Sequence, residues 1–248
     1  MEELPKKNIN NEGMNSTKEI LQKDEAFNLA QELKLKIQGG GLAKASDQLI
    51  HQIIAGLGDE RGLIRRTFVE SLGVIGKPAV PALRQALIQH SNVTVRRASA
   101  KALKLTSDPS ALPDLLQALM NDEDPVVQGS AVAAIAVFGE SAVKHFLEVL
   151  INPKSTEMQC GLASWGLSFI GAKAPKSLRK AAESKNPKIK AAAIAALGEQ
   201  IQSLGDDVAR NLVLHALDDP IVEVRIEATA LLGKLNEAKW TQPLLIKK

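Results

Sequence analysis

The sequence predicts an all-α protein, a solenoid of about six stacked helix pairs, and three observations carry that expectation. Of its 248 residues 45% are hydrophobic, yet only 3% are aromatic and tyrosine is absent. Sheet proteins lean on aromatic and β-branched residues, whereas Ala and Leu, which dominate here, are the best helix formers. Second, a Val/Ile-(Arg/Lys/Gln) pair recurs at Ile64-Arg65, Val95-Arg96, Val127-Gln128, Ile189-Lys190 and Val224-Arg225, with gaps of 31, 32, 62 and 35 residues. The 62-residue gap spans two repeats, and Cys160 takes the place of the basic residue in the copy between. Third, a helix end falls eleven residues after each of the first four anchors, at Gly76, Ser107, Gly139 and Gly171.

The elements follow in order. Residues 1–15 are polar and read as a disordered tail. Ser16-x-x-Glu19 has the form of a capping box and opens an N-terminal capping helix over 16–38. Gly39-Gly40-Gly41 ends it; following a helix rather than a strand, these glycines read as a connector, not a phosphate cradle. Residues 45–248 are the repeats, with units at about 45–76, 77–107, 108–139, 140–171, 172–204 and 205–236. In each unit a first helix carries proline near its start, where the missing N–H has no partner anyway. A turn rich in Asp, Asn and Pro supplies side chains that cap the second helix, which runs V-R-x-x-A-x-x-A-L. One such pair cannot bury its apolar face, whereas stacked neighbours can. The pattern is that of a HEAT-like or armadillo-type α-solenoid. Trp240 and the TQPLLIKK that follows resemble a first helix cut short, a C-terminal cap.

Composition and charge exclude several functions. No stretch reaches the roughly 18–20 apolar residues of a membrane span, and the N-terminus lacks the apolar core of a secretory signal. A single cysteine, Cys160, allows no internal disulfide, which fits a cytoplasmic protein. The net charge of +3 is an average of alternating blocks. Residues 45–107 carry nine Lys/Arg against four Asp/Glu, while 108–139 carry five acids and no base. A nucleic-acid groove needs continuous positive potential, so nucleic acid is not the expected partner, despite Arg65, Arg66, Arg96 and Arg97.

No catalytic motif is visible, whether CxxC, HExxH or P-loop. His51, His90, His145 and His215 fall on first helices of four different repeats, roughly 10 Å apart per step, so no metal site is expected. Cys160 lies near the start of a second helix, where the dipole could activate a thiol; in an Ala-rich helix it also reads as a small buried hydrophobe. The second helices of a solenoid line its concave face, and their residues fall into columns four apart. Arg66, Arg97, Gly129, Gly161, Ala191 and Ile226 form one column. Glu70, Lys101, Ala133, Trp165, Ala195 and Ala230 form the next, and Val74, Leu105, Val137, Phe169, Glu199 and Lys234 the third. The face is charged in repeats one and two and smooth from three to five. Trp165, Phe169, Arg66, Arg97, Lys101 and Glu70 are the candidate binding residues, an aromatic patch beside charges as in a protein-binding hot spot. A groove over Gly and Ala would also admit a flat ligand. The competing reading makes Trp165 and Phe169 core and the arginines solvated; the phase of the columns decides between them.

Residues 56–83 (GLGDERGLIRRTFVESLGVIGKPAVPAL) and 90–140 (HSNVTVRR through AAIAVFGE) resemble cyanobacterial HEAT-like proteins grouped with the E/F-type phycobilin lyases. The likeness runs over residues 16–200 and is strongest to a branch reported as partner of an A-type iron–sulfur carrier. Lyases of this kind attach a linear tetrapyrrole such as phycocyanobilin to cysteines of phycobiliproteins, and carry an early Tyr-Tyr-Ala-Ala-Trp-Trp-like segment that this chain lacks. The resemblance implies a protein-binding scaffold or chaperone in phycobiliprotein (phycobilisome) maturation or turnover. Its alternatives are a bilin lyase-type subunit, paired with another repeat protein, or an iron–sulfur assembly partner using Cys160.

Overall fold

The computed structural model describes residues 19–42 and 44–235, and among these every regular element is helical. In chain order they are α1 (Lys23–Gln38), α2 (Asp47–Gly56), α3 (Gly62–Ile75), α4 (Val80–Gln89), α5 (Val93–Thr106), α6 (Leu112–Asn121) and α7 (Pro125–Ile135). Then come α8 (Glu140–Ile151), α9 (Glu157–Ile170), α10 (Pro175–Ala182), α11 (Pro187–Ala196), α12 (Gly198–Leu204), α13 (Asp207–Ala216) and α14 (Val222–Lys234). The fold is an α-solenoid.

Two layers result. The second helices α3, α5, α7, α9, α11 and α14 pack on one another in succession, with α1 continuing the layer beyond α3. The first helices touch their successors more sparsely. A stack whose one layer is tighter curves toward that layer, so the second helices form the inner face. Between the layers runs one continuous apolar core, in which Phe68, Leu72, Leu103, Leu115, Phe146 and Leu167 are almost fully buried. Small residues set the spacing: a Cβ on Gly73 would lie 2.8 Å from that of Leu105, and one on Gly166 would lie 2.6 Å from the Phe146 ring.

The turns explain the repeat. Asn92, Asp124, Asn186 and Asp206 each accept two backbone amides at the start of the following helix. In four of the five anchors, all but Lys190, the polar residue then folds back to the carbonyl six residues upstream. Arg65 reaches that of Asp59 at 2.5 Å, Arg96 that of His90 at 3.2 Å, Gln128 that of Asp122 at 2.7 Å and Arg225 that of Asp219 at 2.7 Å. Forward pairs tie the second unit to the third, Arg84 to Asp114, Arg96 to Asp122 and Arg97 to Asp124, and the fifth to the sixth, Arg179 to Asp206 and Lys190 to Asp219. The repeated motif is therefore a structural clip. At Cys160 the clip is missing; instead Gln159, in the Val position, donates to the carbonyls of Leu119 and Met120 in the previous unit. The unit ends at Gly76, Ser107, Gly139 and Gly171 all have positive φ, of 71°, 50°, 57° and 46°.

The N-terminal helix differs from expectation. Ser16 lies outside the described residues, and α1 begins only at Lys23, where Glu25 accepts the Gln22 amide at 3.1 Å. Glu19–Gln22 are used for packing instead. Leu21 donates its amide to Ala55, Ile20 sits beside Gly58, and Glu19 takes the Ser91 hydroxyl. This short strap ties the turns of the first two repeats together. The expected tail and the C-terminal cap at Trp240 lie outside the described residues. No described helix is long and apolar enough to cross a membrane.

Candidate functional site

The phase of the inner-face columns is settled by exposure. Trp165 and Phe169 are 47% and 46% exposed, and Val74 and Leu105 are each 50% exposed, so these large apolar side chains face solvent rather than core. The reading of Trp165 and Phe169 as core is thereby corrected: one turn apart on α9, they point away from the buried row Ala163, Leu167 and Ile170. Their rings lie 5.6 Å apart with a 36° tilt. On the far side of α7, α5 contributes Lys104, whose Nζ stands 5.1 Å from the Phe169 ring centre. A lysine of one helix thus reaches an aromatic ring two helices along.

That reach is possible because α7 is low. Its inner-face positions are Gly129, Ala133 and Val137, the last in the short 3₁₀ extension of the helix. An added Cβ at Gly129 would meet only Leu162 at 3.7 Å, and at Gly161 on α9 it would meet nothing within 4 Å. These two glycines are not required by packing, unlike Gly73 and Gly166. The result is a trough: a floor of small α7 residues, a wall of Arg97, Lys101 and Lys104, and a facing wall of Trp165 and Phe169.

The four charged candidates separate into two kinds. Arg66 pairs with Glu70 on its own helix at 2.6 Å, so both are neutralised locally and stand outside the trough. Arg97 makes two bonds to Asp124, at 2.9 and 2.5 Å. That guanidinium, with the two amides Asp124 also caps, holds its carboxyl at about 2, well below the ordinary value. Lys101 is exposed and has no ion-pair or hydrogen-bond partner among the described residues. Among the described residues Lys104 has only the Phe169 ring. Of the trough's described cations, Lys101 and Lys104 are therefore those without a carboxylate. The sequence columns missed Lys104, because its reach depends on the height of α7 and not on its own position.

Cys160 is half-buried, its Sγ 4.0 Å from the Val149 carbonyl oxygen. No group of three His, Cys, Asp or Glu able to hold a metal occurs among the described residues. The histidines stay apart in α2, at the end of α4, in α8 and in α13.

The chain is similar in sequence to known proteins. A HEAT-repeat family model matches residues 47–136. The bilin biosynthesis protein MpeU of Synechococcus sp. strain WH8020 is 44% identical over 216 residues, covering 87% of this chain and 73% of its own. The chain belongs to the MpeU family. A second relative, the uncharacterized phycocyanin operon protein Z of Pseudanabaena tenuis strain PCC 7409, is 30% identical over 132 residues, half of this chain and 65% of that protein. Human deoxyhypusine hydroxylase in complex with glycerol aligns over 86% of this chain and 96% of its own, at 17% identity and a TM-score of 0.35, too distant to bear on function. A stretch of 216 residues in a chain of 248 must include α5, α7 and α9, the helices that build the trough.

Proposed function

We propose that this MpeU-family chain is a bilin lyase-type solenoid that holds a phycobiliprotein client on its inner face while a linear tetrapyrrole is attached. The observation that carries the reading is the 44% identity to a bilin biosynthesis protein across 87% of the chain. The inner face supports it. An exposed aromatic pair beside cations that have no carboxylate of their own is the composition of a recognition surface, and the rigid stack keeps it preorganised. The contribution expected of that face is positioning. Holding client and tetrapyrrole together makes a bimolecular step effectively unimolecular.

The test is co-expression of the chain with bilin-synthesis enzymes and a phycobiliprotein subunit, followed by denaturing electrophoresis of the subunit. Covalent colour on the subunit that depends on the chain supports the lyase-type role. Capture of the subunit without covalent colour reduces the role to that of a chaperone scaffold. Neither capture nor colour overturns the reading.

A further inference from the structure

The trough over α7 has features that neither fold nor packing requires. Glycine inside a helix is costly relative to alanine, yet Gly129 and Gly161 have room for a Cβ. Aromatic side chains are scarce in this chain, yet two of them are spent on a solvent-facing position where they stack on each other. Of the trough's three cations, Arg97 is matched by Asp124. Lys101 has no carboxylate among the described residues, and Lys104 rests on a ring face. Flat floor, π-wall and two cations three residues apart on one helix describe a ligand that is planar, conjugated and doubly anionic.

We infer that the trough seats the linear tetrapyrrole itself, its pyrrole rings against Trp165 and Phe169 and its two propionates on Lys101 and Lys104. This rests on the functional reading above and adds the position and the recognising groups. Lysine ammonium is a compact charge on a flexible stem, and Lys104 can exchange its cation–π contact for a carboxylate without moving its helix. The small residues Gly129, Ala133 and Gly161 leave the depth that a flat ring system needs. A client side chain or helix alone would require neither two free lysines nor a floor cut down to glycine.

The experiment uses the full chain in a Trp240→Phe background, which leaves Trp165 as the one indole. Biliverdin and its dimethyl ester, in which both propionates are masked, are titrated by quenching of Trp165 fluorescence and by the visible absorption of the pigment. Biliverdin is expected to bind with quenching. Lys101→Gln with Lys104→Gln weakens it at least tenfold, the ester binds the parent as weakly, and Ala133→Leu, which raises the exposed floor, weakens both. Circular dichroism confirms that each variant is folded. Equal affinity of acid and ester, undiminished binding by the lysine variant, or no binding to the parent overturns the assignment. Chromophore attachment to the client is scored separately. Attachment undiminished in the lysine and Ala133→Leu variants sinks the subsite and leaves the lyase-type role standing. Biliverdin binding as expected without attachment by the parent sinks the role and leaves the subsite supported.

Discussion

Lys104 Nζ stands 5.1 Å from the centre of the Phe169 ring, bridging α5 and α9 across the small residues of α7. Contacts of this kind contribute about 0.5–1 kcal/mol at exposed sites, so the bridge is not what holds the stack together. Its significance is positional. It marks the one place where the charged half of the inner face meets the aromatic half.

Removal of Trp165 separates stability from recognition. Its ring is 47% exposed and contacts Phe169 at 5.6 Å, so Trp165→Ala is expected to cost only about 1 kcal/mol of fold stability. For a chain of this size that is a shift in Tm of about 2–4 °C. Client affinity is expected to fall at least about fivefold, as for a hot-spot residue. A folded variant with unchanged affinity in a pull-down or titration removes Trp165 from the site.

Two glycines of α9 are expected to respond in opposite directions to alanine. Gly161→Ala adds a methyl into open space and recovers helix propensity, raising stability by about 0.5–1 kcal/mol. Gly166→Ala drives a Cβ to 2.6 Å from Phe146 and 2.9 Å from Val132, and overpacking of this sort costs about 1–3 kcal/mol. Denaturant midpoints of the two variants provide the comparison; a destabilised Gly161→Ala contradicts the open-space reading.

Much of this architecture was legible because the repeat constrains each unit several times over. The anchors Ile64-Arg65 to Val224-Arg225 gave the register, and Gly76, Ser107, Gly139 and Gly171, the ends of the first four units, have positive φ. The spacing of four grouped Trp165 and Phe169 in neighbouring columns, but whether they faced water could not be read from it, since a one-residue error in phase turns a helix face by about 100°. Lys104 was illegible for a different reason: its partner lies two helices away, and that distance follows from the closeness of the stack. The start of α1 was misjudged because Ser16 and Glu19 satisfy a local capping pattern, whereas the contacts of Ile20 and Leu21 with the first repeat are tertiary.

Ser107 is the exception among the unit ends, the one non-glycine residue with positive φ among those described. A side chain in the left-handed region costs about 1–2 kcal/mol, partly offset by the Ser107 hydroxyl donating to the Lys104 carbonyl at 3.1 Å. Ser107→Gly is expected to stabilise the protein by about 0.5 kcal/mol or more. Ser107→Val, with a β-branched side chain, moves thermal unfolding the other way.

Arg96 and Arg97 are neighbours with different burdens. Arg96 is buried and serves Asp122 at 2.8 and 3.1 Å together with the carbonyls of His90 and Ser91. Arg96→Ala strands a buried carboxylate and two turn carbonyls, for a cost of about 3 kcal/mol or more. Arg97→Ala, at a half-buried pair where Asp124 keeps its capping amides, costs distinctly less. Chemical denaturation of both variants checks the order, and equal losses contradict the clip.

Acid titrates the same ladder. Asp124 is held at about 2 by Arg97 and the capped amides, and Asp59 and Asp219 are lowered by Arg61 and Lys190 respectively, each through a side-chain hydrogen bond. A carboxylate whose folded value is depressed contributes stability that is complete above its unfolded value, near 4, and is lost as the pH falls through the folded value. The repeats are therefore expected to hold constant stability from neutral pH to about 5 and to weaken progressively between about 4 and 2. Asp124→Asn removes one of these titrations while keeping an N-cap acceptor. It is expected to be less stable than the parent at pH 7, with the difference closing toward pH 2. Urea midpoints at pH 7, 4 and 2.5 follow the effect; a difference that stays constant with pH means that Asp124 acts through its cap alone and not through its charge.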